Sequence, residues 1–203
     1  MLNVVVCVSG GGTNLQAILD AVESGKITNT RIAGVISNNA GAYALERAKA
    51  KNVPAVCISP KEYETREAFN RALLQGVDEL KPDLIAVVAY GRIIPKDIID
   101  LPHYGCINIH ASLLPKYRGS APVQWSVLNG DKYAGLTSMH IAPALDSGDM
   151  IYKTQTEIGE FESSGELFER LCPMAGELLV RTIRDLEAGT APREKQNEGE
   201  ATQ

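Results

Sequence analysis

Apolar, β-branched runs punctuate the first half of the chain at Leu2–Val8, Arg31–Ser37, Ala55–Ile58, Leu84–Val88 and Cys106–His110. Helix-period patterns at Asn14–Val22, Ala42–Ala50 and Arg66–Leu80 separate the first four of them. Short strands alternating with helices predict right-handed βαβ units, and hence an α/β fold with a mainly parallel twisted sheet and helices on both faces. Two further strands are predicted at Leu136–Ile141 and Met150–Thr156. Ser163 and Glu166 form a capping-box pattern ahead of a helix carrying Leu167, Leu171, Met174, Leu178 and Leu186. Pro173 is expected to kink or divide that helix. From Thr190 the chain is polar and patternless, so residues 1–189 read as one domain and residues 190–203, ending "EKQNEGEATQ", as a loose polar tail.

The first strand-like run leads into "VSGGGTNLQAILDA", residues 8–21. Glycines let a backbone turn sharply and approach a ligand closely. Thr13 with Gln16 three residues on matches a capping box, which predicts a helix start there. A helix start presents unpaired N–H groups and partial positive charge, a combination suited to phosphate. A plain strand-to-helix turn is the alternative. The stretch is not a P-loop, because no Gly-Lys-Ser/Thr follows, and it lacks the last glycine of the dinucleotide fingerprint.

Composition narrows the class further. The chain has 203 residues, 44% hydrophobic and 22% charged, the profile of a globular protein with room for one core. A net charge of −5 argues against nonspecific binding of nucleic acid. Cys7, Cys57, Cys106 and Cys172 lie far apart with no Cys-x-x-Cys spacing, so buried reduced thiols are expected rather than a zinc or redox motif. No basic leader with a cleavage site opens the chain and no run approaches membrane-spanning length, so a cytoplasmic location and no membrane partner are expected.

The stretch "CINIH" carries the first chemical signal. Alternate residues of a strand share a face, so Asn108 and His110 point one way and Ile107 and Ile109 the other. An amide beside an imidazole at a strand end can stabilise an oxyanion and handle a proton, and strand ends are where open α/β sheets place ligands. A pair of hydrogen-bonded structural groups is the alternative. Downstream, "GLTSMHIAPALDSGDMI" sets Asp146 among turn-forming residues. His140, in a predicted strand, reads as structural, and His103 as a loop residue.

"INIHASLLPKYRG" with the later "LDSGD" resembles the 10-formyltetrahydrofolate-dependent formyltransferases over nearly the whole chain. The resemblance implies a Rossmann-like formyltransferase fold and 10-formyltetrahydrofolate as co-substrate. It also implies Asn108, His110 and Asp146 as the catalytic set, with neither a metal nor a covalent enzyme intermediate. A neutral primary amine would attack the formyl carbon directly, Asn108 and protonated His110 meeting the oxyanion and Asp146 assisting the proton.

Within that family the chain points two ways. "SGGGTNLQAI", "SNNAGAYALERA" and "YETREAFNRALL" resemble glycinamide ribonucleotide formyltransferase, in which Gly11, Gly12, Thr13 and Asn14 would cradle the acceptor's phosphate. The stretch from "DLIAVVAYGRIIPK" to "RGSAPVQW" is similar to methionyl-tRNA formyltransferase. By resemblance Arg66, Arg92, Ile93, Ala142 and Leu145 belong to the folate site. "PMAGELL" stands where the ribonucleotide enzymes carry a Glu-His pair that helps hold the ribose. The resemblance implies glycinamide ribonucleotide as acceptor in purine biosynthesis, small-molecule substrates, and a monomer or homodimer. The lack of a C-terminal tRNA-binding domain speaks against tRNA. The alternatives are a methionyl-tRNA formyltransferase catalytic fragment, a chimera of the two, and a non-catalytic folate- or nucleotide-binding module.

Overall fold

A computed structural model describes all residues Met1–Gln203. Its seven strands form a mainly parallel sheet in the order β3-β2-β1-β4-β5-β6-β7, and the chain divides into two compact units, Met1–Ile107 and Asn108–Gln203.

The first unit runs β1 (Leu2–Val8), α1 (Thr13–Glu23), β2 (Thr30–Ser37), α2 (Tyr43–Ala50), β3 (Ala55–Cys57), α3 (Arg66–Glu79), β4 (Leu84–Val88) and α4 (Lys96–Ile99). β1 pairs in parallel with β2 and with β4, and β2 with β3. Every residue of β4, and every residue of β1 except Asn3, is buried. Strands covered on both faces have no polar side to alternate with, which is why they read as unbroken apolar runs.

The second unit begins inside β5 (Cys106–His110) and continues through α5 (Pro122–Leu128), β6 (Tyr133–His140), β7 (Met150–Glu157) and α6 (Ser164–Glu187). β6 and β7 are antiparallel. Leu167, Leu171, Ala175 and Leu178 of α6 pack with Val123, Ala134 and Leu136 into one apolar cluster. The capping box at the start of α6 is present, Ser163 Oγ accepting from the Glu166 N–H while the Glu166 carboxylate accepts from the Ser163 N–H.

Three expectations are corrected, and two short helices are added. α1 has no capping box: its N-cap is Gly12, in the left-handed region, and Thr13 is its first helical residue. Gln16 instead donates to Asp20 Oδ1 and accepts from Arg47. Pro173 does not divide α6, which runs unbroken from Ser164 to Glu187 with buried residues on both sides of the proline. α4 and α5 lie in stretches that show no helical period in the sequence. The segment after Thr190 is not loose. Glu194 exchanges backbone hydrogen bonds with Met150, and Gln196 is buried.

His140 ends β6, where burial first and the Arg193 guanidinium second hold its imidazole below its ordinary value of 6.5. Protonating it therefore costs more in the folded chain than in the unfolded one. Its contribution to stability is full above pH 6.5 and falls as pH drops from there towards the folded value. The expected result is that Tm drops less for His140→Gln than for the unaltered chain between about pH 7.5 and about pH 5.5. Parallel losses in a melting series would remove His140 as the source.

Candidate active site

In the first unit the glycine loop is held by its carbonyl oxygens. Asn39 Nδ2 donates to Ser9 O at 3.3 Å, the Ala44 N–H to Gly10 O at 3.2 Å, Arg47 Nε to Gly11 O at 2.8 Å, and the Gln16 N–H to Gly12 O at 2.9 Å. The first N–H groups of α1 have no carbonyl within the helix to bond, and no acidic residue sits in its first turn. Those hydrogens and the helix dipole together make a cradle for an anion. Gly12 is required by shape: its φ is +72°, and a Cβ there would lie 2.7 Å from Ala44 Cβ. Gly11 faces open space, with nothing within 4 Å of a Cβ. Thr13 and Asn14 open the helix behind it.

Of the proposed folate residues in this unit, Arg66 is the exposed first residue of α3, after Thr65, whose hydroxyl accepts from the Ala68 N–H. Arg92 places its guanidinium 5.7 Å over the Phe69 ring of α3, and Ile93 is exposed. The segment leading to them is anchored at Tyr90, whose carbonyl accepts from Ser9 Oγ and, at 2.9 Å, from Asn38 Nδ2.

The second unit holds the three residues proposed for chemistry. Strand alternation puts half-buried Asn108 and buried His110 on one face of β5. His110 Nε2 lies 2.7 Å from the Tyr117 carbonyl. A carbonyl only accepts, so Nε2 carries the hydrogen and Nδ1 is the nitrogen left for proton exchange. Nδ1 faces Asp146 Oδ2 at 3.5 Å, and the same oxygen accepts from the Gly119 N–H at 2.8 Å. When Nδ1 gains a proton, that proton meets a carboxylate already oriented by a backbone donor.

The backbone around this pair is strained. Tyr117, Ala121 and Asp146 all have positive φ, at 56°, 59° and 46°. Such conformations cost energy and persist where a site demands them. Gly148 is required by close approach, since a Cβ there would come within 1.8 Å of the His140 carbonyl oxygen. The loop between β6 and β7 can turn back on the end of β6 only with glycine at that place. On the same loop Ala142 is half-buried and Leu145 exposed. A separate cavity of about 440 Å³, lined by Ser112, Lys116, Tyr117, Asp131 and Lys153, contains none of Asn108, His110 or Asp146.

Sequence reasoning did not find Arg47, the carbonyl of Tyr117, the N–H of Gly119 or Gln196. Arg47 and Gln196 act on backbone atoms far away in sequence, and the other two act through their own backbone. Neither kind of role leaves a mark in side-chain chemistry.

A family profile described as formyl transferase matches residues 2–183, and the chain belongs to that family. Among curated relatives, the methionyl-tRNA formyltransferase of Alkaliphilus oremlandii is 43% identical over 157 residues, covering 77% of this chain and 48% of the relative. That of Clostridium tetani is 47% identical over 132 residues, covering 65% of this chain and 43% of the relative. The chain thus spans less than half the length of these curated relatives. Among solved structures, glycinamide ribonucleotide transformylase 1 from Symbiobacterium toebii superposes with a TM-score of 0.90 at 31% identity, over 97% of this chain and 95% of that one. The corresponding protein from Geobacillus kaustophilus gives 0.86 at 32% identity, over 92% and 98%. No helix is long and apolar enough to cross a membrane.

Proposed function

We propose that this chain transfers the formyl group of 10-formyltetrahydrofolate to the primary amine of glycinamide ribonucleotide, a step of purine biosynthesis. The observation that carries the reaction is the His110–Asp146 pair, with Nε2 tied to a carbonyl and Nδ1 turned to the carboxylate. The amine nitrogen bonds to the formyl carbon, and the oxyanion that forms accepts from the Asn108 amide and shares the His110 Nδ1–H, which the 3.5 Å separation leaves only loosely bonded to Asp146. Asp146 balances the imidazolium. The bond from carbon to the folate nitrogen then breaks, and that nitrogen takes up the proton that the amine gives away. Arg66, Arg92 and Ile93 of the first unit, and Ala142 and Leu145 of the second, are assigned to the folate by family resemblance.

The choice of acceptor rests on the anion cradle at Gly11, Gly12, Thr13 and Asn14, and on likeness over nearly full length to the ribonucleotide transformylases. A second reading, transfer to methionyl-tRNA, is favoured by the higher identity of the methionyl-tRNA formyltransferases. Formyl transfer assayed in parallel with glycinamide ribonucleotide and with charged initiator tRNA decides between them. Turnover of the tRNA alone would replace the first reading with the second. Within the first, Gly11→Val adds its side chain in open space, so the fold should be kept while the phosphate's approach is blocked. The acceptor KM is expected to rise about 10-fold or more, as loss of charge-assisted hydrogen bonds predicts, with the folate KM within about threefold. The reverse pattern would take the phosphate away from this loop.

A further inference from the structure

The segment that follows α6 ties together the backbone on either side of the His110–Asp146 pair. Gln196 is only 8% exposed. Its Nε2 donates to the carbonyls of Asp146 and Gly148, each at 2.8 Å, and its Oε1 accepts from Arg118 Nε at 2.9 Å. The Arg118 guanidinium, itself nearly buried, reaches both carboxylate oxygens of Glu198 at 3.0 and 2.8 Å, and it holds the Glu198 carboxyl below its ordinary value. Further along, Thr202 Oγ1 accepts from the Tyr117 N–H at 2.9 Å, the Thr202 carbonyl accepts from the Arg118 N–H at 2.8 Å, and the Thr202 N–H donates to Pro115 O at 3.2 Å.

These contacts converge on two backbone positions. One is residue 146, whose side chain faces His110 Nδ1, and the other is residue 117, whose carbonyl accepts from His110 Nε2. Both have left-handed φ, a conformation that needs outside support in a residue other than glycine. Gln196 supplies that support at Asp146 and is linked through Arg118 to the peptide at Tyr117. The segment also lies beyond residues 2–183, the reach of the family profile.

We infer that Gln196 is a positioning residue for the His110–Asp146 pair, and that residues 196–202 act as a strap fixing which nitrogen of His110 faces the carboxylate. The catalytic part of this inference rests on the formyl-transfer reading, whereas the positioning part does not.

The test uses the full chain with Gln196→Ala, Gln196→Glu and, as a matched control at an exposed neighbour, Lys195→Ala. Gln196→Glu keeps the volume and the partnership with Arg118 but replaces the donor facing the two carbonyls with a charged acceptor. Imidazole ¹⁵N signals are recorded on labelled protein, those of His110 being identified by their loss in His110→Asn. The unaltered chain and Lys195→Ala are expected to show His110 as a single tautomer protonated at Nε2. Both Gln196 variants are expected to show shifted or averaged ring signals, and kcat about 10-fold lower with each KM within about threefold, the pattern of lost alignment. A role confined to stability would lower Tm and leave the ring signals alone. Unchanged His110 signals in both Gln196 variants would overturn the inference, as would an unchanged kcat. Absence of transfer by the unaltered chain to either acceptor would count against the functional reading alone, and the ring signals would still decide the strap.

Discussion

Replacing His110 with asparagine is expected to lower kcat by about 100-fold or more, the scale on which positioned proton-handling and oxyanion groups act. Asparagine can still donate from its amide towards the Tyr117 carbonyl, but it has no second nitrogen to turn to Asp146 at the 3.5 Å separation seen here. The fold should therefore be kept while proton exchange is lost. Asp146→Asn keeps an acceptor for the Gly119 N–H and removes only the charge, so it should slow turnover by a smaller factor. Because the two side chains act as one unit, the double variant should be little worse than His110→Asn alone. Steady-state kinetics together with circular dichroism checks this, and near-normal turnover by folded His110→Asn would remove the residue from the mechanism.

Gly148→Ala is expected to give the largest loss of stability. Its methyl group would lie 1.8 Å from the His140 carbonyl oxygen and 2.8 Å from the carbonyl carbon, both of them backbone atoms that no rotamer change can move aside. Overpacking against fixed backbone costs about 3 kcal/mol, or about 10 °C in Tm for a chain of this length. Two contacts would go with it: the hydrogen bond from the His140 N–H to Asp149 O at 2.8 Å, and that from Gln196 to Gly148 O. A melting temperature within about 2 °C of the unaltered chain would show that the loop can shift at little cost.

What could be read in the sequence follows from where the driving force lies. β1 and β4 occupy the residues their apolar runs predict, because strands buried between layers are apolar along nearly their whole length. The Ser163 capping box was equally legible, since its two hydrogen bonds link residues three apart. The same pattern at Thr13 and Gln16 misled, because α1 starts from a left-handed glycine wedged against Ala44, a contact distant in sequence. Asn108 and His110 were legible as a polar pair on one strand face, but their grouping with Asp146 came from the family resemblance. The strap at 196–202 was not legible, since it binds through an amide, a carboxylate, a hydroxyl and backbone groups and has no apolar period. Polar composition reads as looseness unless the partners are known, and here they are the Arg118 guanidinium and backbone atoms of residues 115–118 and 146–148.

The carbonyls of Ser9, Gly10, Gly11 and Gly12 are all occupied by donors from Asn39, Ala44, Arg47 and Gln16. Each of these oxygens thereby has one lone pair engaged, and under the proposed function the loop would act as a socket that turns mainly hydrogens to its ligand. Such a socket sorts ligands by the sign of their charge and is nearly blind to what the charge is attached to. Under the proposed function it would fix the acceptor by its phosphate, and telling one phosphate ester from another would fall to residues outside the loop.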